Sequence, residues 1–172
     1  TFKVTKELTK EYVKDLIQNL QPNEIIVPMQ STDPLINDLK KKYVTTPLDP
    51  YDFDVEVSFS TLTDHFHTYN LKGFSIEKED KLTISAAGAL LQYLKNTQKT
   101  NLEHINKISI QNIKSSMTID ATTLRNLEVI YPLFGKDGPS LLSTIDRTKT
   151  SIGGRILMDW LLNPLIDVKK IR

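Results

Sequence analysis

Residues 82–94 read Leu-Thr-Ile-Ser-Ala-Ala-Gly-Ala-Leu-Leu-Gln-Tyr-Leu. Leu82, Ala86, Ala87, Leu90, Leu91 and Leu94 recur at helical spacing, so this is the strongest helix of the chain. The small residues from Ala86 to Ala89 let that helix approach a sheet or a second helix closely. Its apolar run, Ile84 to Leu94, is broken by Ser85, Gly88, Gln92 and Tyr93 and is far shorter than the roughly 20 residues a bilayer requires. The segment is therefore a core helix, and the elements around it decide the layer it packs on.

Towards the N-terminus, Phe2 to Thr5 alternates like a strand, and Leu8, Tyr12, Val13, Leu16, Ile17 and Leu20 then follow a helical stripe. Gln21-Pro22-Asn23 stops it, and Glu24 to Pro28, carrying Ile25-Ile26-Val27, reads as an inner strand. Asp33-Pro34 opens a second helix through Leu35, Ile36, Leu39 and Tyr43. Val44 to Leu48 is an edge strand, because Pro47 has no N–H for a ladder. Val55, Phe59, Leu62, Phe66 and Tyr69 form one helical face over 54–69. Strands alternating with helices predict an α/β domain.

Towards the C-terminus, Lys107 to Gln111 alternates as a strand, and Met117 to Ile119 is placed to pair with it across Lys114-Ser115-Ser116. Beyond Ile119 every segment reads as helix. Asp120 caps a stripe of Ala121, Leu124, Leu127 and Tyr131. Thr150 caps a helix beginning at Ser151, with Ile152, Ile156, Leu157, Trp160 and Leu161 on one apolar face, and Asn163-Pro164 ends it. Gly153 and Gly154 each cost about 1 kcal/mol inside a helix, which points to close backbone contact with a neighbouring element or to a fraying first turn, with packing the favoured reading. The change of character sets a domain boundary near Ser115, dividing 1–115 from 116–172.

Composition narrows the chemistry. Of 172 residues, 39% are apolar, enough for a packed core, and 22 basic against 21 acidic residues leave a formal charge of +1. No global field favours nucleic acid or a membrane surface. The absence of cysteine removes disulfides, thiolate zinc sites and a cysteine nucleophile. A phosphate-cradling Gly-x-x-x-x-Gly-Lys-Ser/Thr loop is missing, and Gly135-Lys136-Asp137-Gly138 reads as a turn. Asp49, Asp52 and Asp54 lack the glycine and distant Glu of a calcium loop and read as a solvated, helix-capping turn. His65, His67 and His104 are too scattered for a metal set and read as surface residues. No metal, cofactor or catalytic residue is assigned to this chain.

TLRNLEVI at Thr123–Ile130 and SLLSTIDRTKTSIGGRILMDWLLNPLIDVKKI at Ser140–Ile171 resemble the start of the core domain of the MutS family of DNA mismatch-repair proteins. AAGALLQYLKNTQKTNLEHI at Ala86–Ile105 is similar to the end of that family's connector domain, and LQPNEIIVP at Leu20–Pro28 to an earlier connector strand. The resemblance implies a ribonuclease-H-like connector, a mixed sheet flanked by helices, over 1–115 and the all-α start of the core over 116–172. It also implies that the chain is a piece of a longer protein and that the connector's first strand lies ahead of Thr1.

Residues matching the family motif are Asp120, Arg125, Asn126, Glu128, Asp146, Thr148, Thr150, Gly153, Arg155, Trp160 and Pro164, and the role carried over to them is structural. A buried or half-buried Arg125 needs a carboxylate or carbonyl partner, with Glu128, Asp146 and Asp159 as candidates between which the sequence does not choose. By resemblance the parent protein is a cytoplasmic homodimer that binds mismatched double-stranded DNA, ATP and magnesium and recruits MutL. Its ATPase motifs and mismatch-reading Phe-x-Glu wedge fall outside this chain. Phe53-Asp54-Val55-Glu56 and Phe74-Ser75-Ile76-Glu77 both miss the wedge spacing. The expected strands carry only Glu24 as a carboxylate, which argues against a metal-dependent nuclease. A relative acting on recombination intermediates and a stand-alone, non-catalytic binding module are the alternatives.

Overall fold

The strand at Phe2–Thr5 (β1) lies parallel to Ile108–Gln111 (β4), with Phe2 opposite Ile108 and Val4 opposite Ile110. The computed structural model describes residues 2–6, 8–98, 102–111, 116–117, 119–134 and 138–171. A second parallel pair joins Ile25–Pro28 (β2) to Thr45–Leu48 (β3) through the crossover helix Pro34–Lys42 (α2). Among the described residues the expected mixed sheet is thus two separate parallel pairs. Alternation identifies a strand, but it carries no record of which partner the strand will choose.

Helices Val55–Phe66 (α3) and Lys81–Gln98 (α4) pack beside β1 and β4. Phe2, Leu62, Leu71, Ile76, Ile84, Leu91 and Ile108 are buried together and form the core. The small-residue window of α4 lies against α3 at Ser58, which is almost completely buried and whose hydroxyl donates to the carbonyls of Asp52 and Ser85, both at 3.4 Å. Leu82 and Leu90, assigned to the same stripe, instead face solvent. The buried face is Ile84, Ala87, Gly88 and Leu91, because the closest approach of the two helices centres on Gly88.

Local capping follows the sequence closely. Asp49 accepts from the Tyr51 amide to start a 3₁₀ turn at Pro50–Phe53, and Asp54 accepts from Glu56 and Val57 to start α3. The acidic trio is a pair of caps around a turn. α3 stops at Phe66 rather than running to Tyr69, because His67 turns left-handed (φ 52°) and the Thr68 amide reaches back to the Thr63 carbonyl. His65 is not a free surface residue: its Nε2 lies 2.8 Å from the Ile105 carbonyl oxygen, tying α3 to the segment before β4.

The chain divides into two compact units, one of Thr1–Leu8 with Pro22–Gln111, the other of Thr9–Gln21 with Asn112–Arg172. The sequence boundary near Ser115 lies outside the described residues. Helix Lys10–Leu20 (α1), capped by Thr9, belongs to the second unit, where it meets Ala121–Asn126 (α5). The other helices of that unit are Leu141–Ile145 (α6), Ser151–Leu162 (α7) and Val168–Ile171 (α8). The pairing expected between Met117 and β4 is replaced. The Met117 amide donates to the Pro164 carbonyl at 2.7 Å, and Ser116 forms an antiparallel bridge with Leu165. The segment leaving α7 supplies the partner that a local reading seeks next door.

Candidate interface around helices α5 and α7

α5 is short because its end is closed from within. The C-cap Leu127 keeps right-handed backbone angles, Glu128 turns left-handed (φ 50°), and the Val129 amide returns to the Leu124 carbonyl. Tyr131 therefore leaves the stripe on which its spacing placed it. At the start of α5, Asp120 accepts from the amide (2.9 Å) and hydroxyl (2.6 Å) of Thr123. The Thr123 hydroxyl, then its amide, hold the Asp120 carboxyl below the usual carboxylate range. Ala121 and Leu124 are buried, whereas Arg125 and Asn126 are exposed.

Arg125 departs from expectation in both respects: it is exposed, and among the described residues its guanidinium has no ion-pair or hydrogen-bond partner. The three candidate carboxylates are occupied locally. Glu128 Oε1 accepts from the Leu133 amide at 2.8 Å, Asp146 Oδ1 from the Thr148 amide at 2.9 Å, and Asp159 Oδ1 from the Asn163 side-chain amide at 3.2 Å. Each carboxylate finds a backbone or amide donor within five residues, so none has to reach across to α5.

Asp146, Thr148, Thr150 and Gly153 come together as the lead-in to α7. The amide and hydroxyl of Thr148 depress the Asp146 carboxyl, with a smaller contribution from the charge of Arg147. Thr150 Oγ1 accepts from the Gly153 amide at 3.0 Å, the cap its sequence position predicts. A Cβ at Gly153 would stand 3.1 Å from Thr148 Cβ, so this glycine does mark close packing, against the chain just before the helix. Before this, Ser140 and Ser143 form a reciprocal capping box at the start of α6.

The apolar face expected along α7 exists, with Leu157 and Leu161 half-buried and the rest uncovered. Ile152 is 67% exposed, Ile156 45% and Trp160 68%. Arg155 is exposed as well, and Pro164 ends the helix and offers its carbonyl to Met117. A cleft of about 220 Å³ opens in this unit, lined among others by Gln18 and Asn19 of α1, Leu124 and Arg125 of α5, Tyr131, and Leu162 of α7. Sequence reasoning missed the contribution of α1, because helical periodicity marks its apolar stripe without saying which distant element receives it. Among the described residues no three His, Cys, Asp or Glu side chains converge as a metal set. No helix among them is long and apolar enough to cross a membrane. Gly135 to Asp137 of the expected turn lie outside the described residues.

The profile of MutS domain II matches residues 1–106, and that of MutS domain III matches residues 122–172. The chain belongs to the MutS family. It is 38% identical over 174 residues to the DNA mismatch repair protein MutS of Salinibacter ruber, with 99% of this chain and 19% of that protein covered. It is 40% identical over 175 residues to that of Chlorobaculum parvum, with the same coverage of both chains. It is 35% identical over 169 residues to that of Flavobacterium johnsoniae, covering 98% of this chain and 19% of that protein. The chain thus spans about a fifth of the length of the curated MutS relatives it matches. Among the described residues strands and helices mix up to β4, and the elements beyond it are helices apart from the Ser116–Leu165 bridge.

Proposed function

We propose that this chain is the connector and core-entry segment of a MutS-type DNA mismatch-repair protein, non-catalytic in itself, with the connector over 1–115 and the core over 116–172. The observation that carries the reading is the order of the matches: domain II then domain III on one chain, aligned along 98–99% of it with proteins named DNA mismatch repair protein MutS. A ribonuclease-H-like connector is supported by β1 parallel to β4 with α3 and α4 packed beside them. Among the described residues no metal set converges, and the sequence carries no Gly-x-x-x-x-Gly-Lys-Ser/Thr loop; this reading assigns ATP, magnesium and contact with mismatched DNA to other parts of the protein.

In this reading the connector relays between DNA clamping, nucleotide state and recruitment of MutL in a cytoplasmic homodimer, and the motif residues that cap or close α5 and α7, Asp120, Glu128, Asp146, Thr148, Thr150 and Gly153, are architectural. The uncovered face of α7 suits a helix that packs on further core elements. The mismatch-repair names of the relatives favour this over a recombination-type relative. The test is ATP hydrolysis and binding to a duplex carrying one G·T mismatch. The 172-residue chain should do neither, and the longer protein containing it should do both. ATP turnover or mismatch-selective binding by the chain alone refutes the reading.

A further inference from the structure

We propose that the cleft between the last turn of α1, α5 and the end of α7 is a docking site for a polypeptide segment that presents an Asp or Glu beside an apolar residue, with Arg125 as the anchor for its carboxylate. Among the described residues that line it, the cleft has one cation, Arg125, and no acidic residue. That guanidinium is exposed and unpartnered among the described residues, while Glu128, Asp146 and Asp159 are bound elsewhere. A planar fork of donors beside an apolar wall recognises a carboxylate carried on an apolar chain.

The walls narrow the ligand further. Half-buried Ile130, Pro132 and Leu162 give apolar surface over the buried Leu124, and the amides of Gln18 and Asn19 add donors and acceptors suited to a peptide backbone. A nucleic-acid backbone is disfavoured, because tracking phosphates takes several cations and the described lining of this cleft has one. A volume of about 220 Å³ accommodates one or two side chains rather than a folded surface. The occupant is therefore a short acidic-apolar segment of a protein partner.

The test uses the 172-residue chain and a fluorescein-labelled, end-capped peptide Ala-Leu-Glu-Leu-Ile-Ala, read by anisotropy, beside the same peptide with Gln for Glu. The Glu peptide should bind about fivefold more tightly than the Gln peptide, as loss of one charge-assisted pair implies. With Arg125→Gln the two peptides should bind equally. Leu162→Ala should weaken both by the same factor while leaving their ratio unchanged. The exposed, unpartnered side chain of Arg125 makes R125Q safe for folding, which the helical circular dichroism checks. Equal affinity for the unaltered chain, discrimination that survives R125Q, or no binding of the Glu peptide overturns the proposal. So does competition by N-acetylglutamate amide at the peptide's own affinity, which would leave the apolar wall without a role.

Discussion

A Cβ built on Gly88 would lie 2.3 Å from the Cβ of Ser58 and 2.5 Å from its Cα, so α4 crosses α3 at a point where no side chain fits. The small-residue run in the sequence is the footprint of this crossing.

Gly88→Ala sets two effects against each other. Alanine favours a helix by about 1 kcal/mol, but overpacking a closed interface costs typically about 1–3 kcal/mol and more when backbone must move. One of the atoms met is the Cα of Ser58, so the helices themselves must separate. G88A should lower the stability of the first unit by about 2–4 kcal/mol, read by urea denaturation. Ser58→Gly should rescue it only in part, because the main chain at position 58 still blocks the added methyl.

Lys6 and Asp80 predict a pH dependence. Lys6 follows β1, and its ammonium donates to the Ser75 carbonyl at 2.8 Å and to the Asp80 carboxylate, which also accepts from the Glu77 amide at 2.8 Å. The hydrogen bond from Lys6, then that from Glu77, hold Asp80 below the usual carboxylate range. A carboxyl that ionises more readily in the folded chain stabilises the fold when charged. Its contribution is complete above the unfolded value of about 3.9 and is lost as the pH falls through the depressed folded value. Asp80→Asn should cost about 1–2 kcal/mol at pH 7. The gap between D80N and the unaltered chain should narrow below about pH 4 in urea titrations.

Two neighbouring glycines in α7 should respond differently to alanine. At Gly154 the nearest atoms to an added Cβ are Thr148 Oγ1 at 3.5 Å and Asp146 Oδ2 at 3.6 Å, which is ordinary van der Waals distance. Gly154→Ala should therefore stabilise α7 by up to about 1 kcal/mol. At Gly153 the added Cβ meets Thr148 Cβ at 3.1 Å and Thr150 Oγ1, the capping atom, at 3.2 Å. Displacing a cap costs about 1 kcal/mol, so Gly153→Ala should be near neutral. Amide hydrogen exchange along α7 separates the two outcomes.

What is legible in the sequence is what is local in physics. Asp54, Asp120 and Thr150 cap the helices their positions predict, β1 and β4 lie where alternation places them, and β2 and β3 lie within the apolar run and the proline-bearing segment read as strands. The early ends of α3 and α5 depend on left-handed His67 and Glu128; histidine is only modestly associated with that conformation and glutamate does not advertise it, so neither marks a helix end as glycine would. The partners of Met117 and of α1 lie far along the chain, so no window of periodicity contains them. Arg125 escapes sequence reasoning for a related cause: its candidate carboxylates find nearer donors, and short loops satisfy acids before distant cations can.

Trp160 is the chain's one tryptophan and 68% exposed, so its emission reports on what covers α7. In the 172-residue chain it should fluoresce like indole in water and be quenched freely by acrylamide. Trp160→Ala should change the stability of this chain by less than about 0.5 kcal/mol, as an exposed substitution does. If α7 packs on further core elements in a longer MutS protein, Trp160 there should emit at shorter wavelength and resist quenching. Its truncation should then cost about 3–5 kcal/mol, the range for a buried aromatic. Water-like emission and a silent W160A in the longer protein as well would mean that α7 stays bare, and the architectural role assigned to this helix would be lost.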